Sequence, residues 1–103
     1  DMAYNDGRFK LIDNAAVSGS AVDWPGGRGT FSVPVGTFGG ATVKLQWSPD
    51  DGTTYQDVDR SGDTYVTLTA AGAGLFDLPV CKIKAVVSGG SPSGLYAYAT
   101  CVP

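Results

Sequence analysis

The sequence predicts an all-β fold, a jelly-roll-like antiparallel β-sandwich of about seven to eight strands. Three observations predict it. No segment of ten or more residues carries a helical period. Several short segments alternate apolar and polar residues with period two. Fifteen glycines and six prolines punctuate the chain, and the segments between the turns recur at roughly the ten-residue spacing of strands in a sandwich or barrel. The length of 103 residues leaves room for one domain, and a 43% hydrophobic content can supply one core. The expected division is an extended N-terminal arm over residues 1–20 and a sandwich domain over residues 21–103.

Residues 1–20 have no clean period. Phe9, Leu11 and Ile12 sit among Asn, Asp, Gly and Ser. Such a segment is either an arm ordered by a partner or a strand laid on the sheet edge. Pro25-Gly26-Gly27 breaks the chain after Trp24. Next, Phe31, Val33 and Val35 alternate with Thr30, Ser32 and Pro34. Pro34 cannot donate to a ladder, which predicts an edge strand.

Residues 41–48 give the clearest strand. Val43, Leu45 and Trp47 point one way, and Thr42, Lys44, Gln46 and Ser48 the other. A turn over Pro49–Gly52 follows. Residues 63–70 are rich in Thr, Tyr and Val and read as a strand. Residues 75–80 read as a short strand ending at Pro79.

The last two segments are expected to pair as a hairpin. Cys81, Ile83, Ala85 and Val87 alternate with lysines and small residues. Leu95, Ala97, Ala99 and Cys101 alternate with Tyr96, Tyr98 and Thr100. A symmetric loop between them sets Cys81 opposite Cys101. A facing pair of this kind can form a disulfide; two buried thiols are the alternative.

Charge narrows the function. The formal net charge is -3. The basic residues Arg8, Lys10, Arg28, Lys44, Arg60, Lys82 and Lys84 are dispersed, which disfavours nucleic acid and anionic membranes as partners. No apolar run approaches the ~20 residues of a membrane-spanning helix. Residues 1–15 lack the apolar stretch of a secretory signal, and Met2-Ala3 reads as a native start, so use without general secretory export is expected.

The residue inventory argues against catalysis. Histidine is absent, which removes the usual general base and the Ser-His and Cys-His pairs. Every acidic residue is Asp. Asp50, Asp51, Asp57, Asp59 and Asp63 could supply a glycosidase pair, but most sit in turn contexts. No catalytic residue, cofactor or metal site is expected, and two cysteines without histidine do not complete a zinc site.

One local motif stands out. Ser48, Asp50, Gly52, Thr54 and Tyr55 fit the pattern Ser-x-Asp-x-Gly-x-Thr-aromatic. It resembles the Asp-box, a hairpin turn found in sialidases and many unrelated β proteins. Tyr55 replaces the commoner Trp. The motif is specific for a turn and not for an activity, and a single copy argues against a propeller.

Residues 41–100 resemble small structural proteins of tailed bacteriophages, nearest to capsid decoration (cement) proteins and head-fibre domains. The carriers are Leu45-Gln46-Trp47-Ser48 running into the Asp-Gly turn, and the run from Leu78-Pro79 through Lys82-Ile83-Lys84-Ala85-Val86-Val87-Ser88-Gly89-Gly90. The resemblance implies a structural virion protein, made in the host cytoplasm and placed on the outer capsid surface. It would bind the major capsid protein, commonly as a homotrimer, and stabilise the assembled shell. The expected interface residues are Phe9 and Leu11 in the arm and Tyr96 and Tyr98 on the last strand. The tyrosines could instead pack under a loop or edge strand. A carbohydrate- or receptor-binding module is the alternative function, with Trp24, Trp47 and the tyrosines as stacking candidates.

Overall fold

The computed structural model describes residues 7–103, and all seven elements are strands: β1 (Arg8–Ala15), β2 (Val22–Thr37), β3 (Thr42–Ser48), β4 (Gln56–Asp57), β5 (Thr67–Leu68), β6 (Gly72–Ser88) and β7 (Ser93–Cys101). Every pairing is antiparallel. The order is β1-β7-β2-β6-β3-β4, with β5 also on β3. The all-β, antiparallel expectation is the fold observed.

The pairs nest. One set runs β3 with β4, β2 with β6, β1 with β7. A second runs β3 with β6 and β2 with β7. This is one long hairpin folded over itself, the logic of a jelly-roll-like sandwich. The sheet coils strongly. In a flat sheet β1 and β6 would lie three spacings, about 14 Å, apart. Here Gly19 N–H donates to the Ala85 carbonyl at 3.2 Å, tying the chain just after β1 to β6.

The bend is built where β2 and β6 cross between layers. In β2 the buried positions shift from Trp24 to Gly29, Phe31 and Val33; in β6 they shift from Phe76 and Leu78 to Ile83 and Ala85. Both strands switch parity together, opposite one another. Gly26 and Gly27 stand at the switch with φ of 91° and 99°, a conformation side chains resist. Inside the coil lies one core that includes Trp24, Phe31, Leu45, Val66, Ile83 and Leu95.

Several expectations are corrected. Of the two readings of the N-terminal segment, the edge strand is the one observed in place of the arm: β1 ends the strand order and pairs with β7; Leu11 and Ile12 are buried. The domain therefore begins well before residue 21, and residues 1–6 of the expected arm lie outside the described residues. The strand with Pro34 is not an edge: β2 lies between β6 and β7. Proline is tolerated because the β6 ladder ends at Val33, and the β7 ladder shifts register between Ser32 and Val35. The strand expected over 63–70 shrinks to Thr67–Leu68. Pro79 does not end its strand, because β3 pairs with β6 only from Lys82 onward and makes no ladder there.

The largest correction concerns the final hairpin. β6 and β7 do not pair; β2 separates them. Cys81 lies opposite Trp24 and Cys101 opposite Gly29. The facing geometry that would join the two cysteines is absent, and both are free, half-buried thiols. Burial pushes the Cys81 thiol pKa up.

Candidate functional site

The outer face of β1, β7 and β2 collects the aromatic residues that the sequence placed on the last strand. Leu95, Ala97 and Ala99 are buried, so the alternate residues Tyr96 and Tyr98 point outward, half-buried. Register extends the face sideways. Tyr98 lies between Lys10 of β1 and Ser32 of β2; Tyr96 lies between Asp13 and Val35. Val35 is 53% exposed. The Lys10 ammonium sits 5.8 Å and 5.9 Å from the Tyr96 and Tyr98 ring centroids, near the outer limit of cation–π attraction. It also reaches Asp13 at 3.5 Å.

Phe9 and Leu11 do not join this face, which corrects their expected interface role. Leu11 is 3% exposed. The Phe9 ring meets the Trp24 ring edge-on, with centroids 5.6 Å apart. Both side chains serve the core. Lys10 and Val35 were not singled out by sequence. Two register shifts in β1, at Lys10/Ile12 and Asp13/Ala15, put Leu11 and Ile12 both inward and erase the alternation that would have revealed Lys10.

The Asp-box-like turn closes the β3–β4 hairpin as its chemistry suggests. The Ser48 hydroxyl is buried, donates to Asp50 Oδ1 at 2.7 Å and accepts from Gly52 N–H at 2.8 Å. Asp50 also accepts from Thr54 N–H at 2.9 Å and from Thr54 Oγ1–H at 2.7 Å. Asp51 and Gly52 turn the chain with φ of 59° and 92°. Tyr55 carries the Lys84 ammonium 4.0 Å from its ring centroid. Nearby, Lys82 bridges Asp23 at 2.6 Å and Asp51 at 3.7 Å. The ion pair with Asp23 is the main reason the Lys82 pKa is raised. The motif thus fastens a turn onto β6.

The hydrogen bonds from Thr54, then Ser48, hold the Asp50 carboxyl at a pKa of about 2, below its ordinary 3.8. A depressed folded-state pKa means that the turn's stabilisation is present in full above 3.8. It is lost as pH falls towards 2, where the folded carboxylate takes up its proton. In an acid titration followed by NMR, the Thr54 amide resonance is therefore expected to hold steady down to about pH 4 and to shift below it. An Asp50→Asn protein should lack that shift. A Thr54 resonance in wild type that titrates with an ordinary carboxylate midpoint would refute the assigned bonds.

Two further candidate aspartates occupy structural bonds. Asp57 accepts from Gln46 Nε2 at 2.9 Å and pairs with Lys44 at 3.1 Å; the Gln46 bond foremost lowers its pKa. Asp59 accepts from Val66 N–H at 3.0 Å and Thr67 Oγ1–H at 2.6 Å, pinning the 59–67 loop. A glycosidase acid needs a raised pKa; Asp50 and Asp57 are displaced in the opposite direction.

No family model, no curated protein and no solved structure matches this chain.

Proposed function

We propose that the protein is a structural subunit that decorates and stabilises an assembled phage shell, and that the outer face of β1, β7 and β2 is its docking surface. The observation that carries the reading is the row of Tyr96, Tyr98 and Val35 on paired central strands, in a chain whose sequence resembles cement proteins. Aromatic residues on a rigid sheet give large contact area at small entropic cost, which favours interfaces. The partner is the major capsid protein, the working oligomer a homotrimer, and the place the outer surface of the virion.

The carbohydrate reading has weaker support. Trp24 is fully buried, and Trp47 packs against the core. Lys10 sits beside both tyrosine rings, where a sugar would stack.

Co-sedimentation with purified shells lacking the protein tests the proposal. Wild type is expected to bind and to raise the temperature at which shells rupture. A Tyr96→Ser/Tyr98→Ser protein, folded by circular dichroism, is expected to bind at least about tenfold more weakly, the scale of a hot-spot pair. Equal shell robustness with and without wild type would sink the proposal.

A further inference from the structure

We infer that the outward edge of β6, over Ala73–Leu78, takes up an extended, positively charged segment of a partner protein as an added strand. This rests on a different surface from the tyrosine face and does not depend on the shell-binding reading.

The first observation is an incomplete ladder. β2 runs beside β6 from Gly72 to Ile83, whereas β3 begins only at Lys82. Among the described residues, no strand pairs with the other side of β6 between Gly72 and Cys81, and no loop backbone hydrogen-bonds there. A row of free N–H and C=O groups selects one kind of ligand, a backbone in β conformation.

Second, this edge carries little of the usual protection. The β1 edge is broken by two register shifts and bears Arg8, Lys10 and Asp13. The β6 edge keeps a constant register with β2, and its one charged residue over Gly72–Leu78 is Asp77. Pro79, which has no N–H to give, sets the natural end of the accessible row. Six residues of strand span about 20 Å, room for a hexapeptide.

Third, a depression borders the edge, with Leu75 and Asp77 on one wall and Asp59, Arg60, Asp63 and Tyr65 on the other. Leu75 and Tyr65 are each 67% exposed, which gives apolar side chains a place to rest. Three carboxylates face one guanidinium on this rim. Arg28 lies opposite Asp77 on β2, and Arg60 offsets one of Asp59 and Asp63, so the rim keeps a net negative charge. The same charges oppose pairing with a second copy, because joining two β6 edges would bring these carboxylates together. A cationic strand with alternating apolar residues is the complement.

The test uses the peptide acetyl-(Lys-Val)3-amide against the full chain, read by amide hydrogen exchange. Alternate amides within Ala73–Leu78 are expected to gain at least about tenfold protection at saturation. An (Glu-Val)3 peptide should bind at least about tenfold more weakly, and a Lys-Val peptide N-methylated at alternate residues should lose the protection. The Asp63→Lys/Asp77→Lys protein should reverse the preference towards the Glu peptide. Unchanged exchange at these amides, equal binding of the N-methylated peptide, or protection that grows with protein concentration in the absence of peptide would each overturn the inference.

Discussion

Replacing Trp24 with alanine is expected to cost about 3–5 kcal/mol, the range for emptying a large aromatic site in a core. Trp24 is fully buried. Its ring lies 5.6 Å from Phe9 of β1 and 5.0 Å from Phe76 of β6, centroid to centroid. One indole therefore joins three strands of the coiled sheet. Gly29 makes the room: a Cβ there would come within 2.6 Å of the Trp24 and Phe76 ring atoms. The cavity left by alanine cannot collapse easily, because both flanking rings belong to strands fixed by ladders. A domain of this size has about 5–15 kcal/mol in total, so the loss is a large fraction of it. At roughly 4–8 °C per kcal/mol, the melting midpoint should fall by about 15 °C or more. Thermal denaturation by circular dichroism reads this directly, with Trp24→Phe expected to lose much less. A Trp24→Ala protein that melts within a few degrees of wild type would show that the indole does not join the layers.

The inward faces were legible in the sequence because side-chain direction is a local property of a strand. Val43 and Leu45, then Leu95, Ala97 and Ala99, alternate in the sequence and are buried in the structure. Neighbour choice is not local. A short polar connection can close a hairpin, or it can arch from one layer to the other, and the residues of 89–92 serve either. In the structure Ser91 N–H donates to the Gly39 carbonyl at 2.9 Å. The β6–β7 connection thus rests on the β2–β3 connection. Two stacked arches replace the expected hairpin, and β2 occupies the place assigned to β6 beside β7. The expected facing positions of Cys81 and Cys101 follow from neighbour choice and change with it, and the free thiols observed are one of the two states the sequence left open.

The candidate site divides in the same way. The Asp-box-like turn was readable because its bonds link residues two to four apart, from Ser48 to Thr54. Tyr96 and Tyr98 were readable by parity. Their neighbours Lys10 and Val35 were not, since register shifts in β1 and β2 displace the alternation there. The open edge of β6 was hidden for another reason. The run from Gly72 to Ser88 is broken in sequence by Pro79, yet it folds as one strand with two successive partners. Only the offset between those partners exposes the edge.

Gly74→Ala is expected to destabilise the fold by about 2–3 kcal/mol, well above the effect of adding a methyl group at an open site. Gly74 has no positive φ, so its backbone conformation is open to any residue and the constraint is space. A Cβ built there would fall on the Tyr65 carbonyl. Backbone cannot rotate away as a side chain can. The loop would have to move, and it is held at many points. Val66 is fully buried, its carbonyl accepts from Leu45 N–H at 3.0 Å, and its N–H donates to Asp59. Shifting Tyr65 therefore strains the attachment of β5 and the core beneath β3. Gly72→Ala is the internal control. It lies two residues away on the same strand and the same face, and an added Cβ finds nothing nearer than 3.8 Å. Alanine there should be neutral or stabilise by up to about 1 kcal/mol through lowered unfolded-state entropy. Urea denaturation of the two variants measures the contrast. Equal midpoints would mean that the loop does not press against β6 at Gly74, and the packing of Val66 beneath β3 would have to be redrawn.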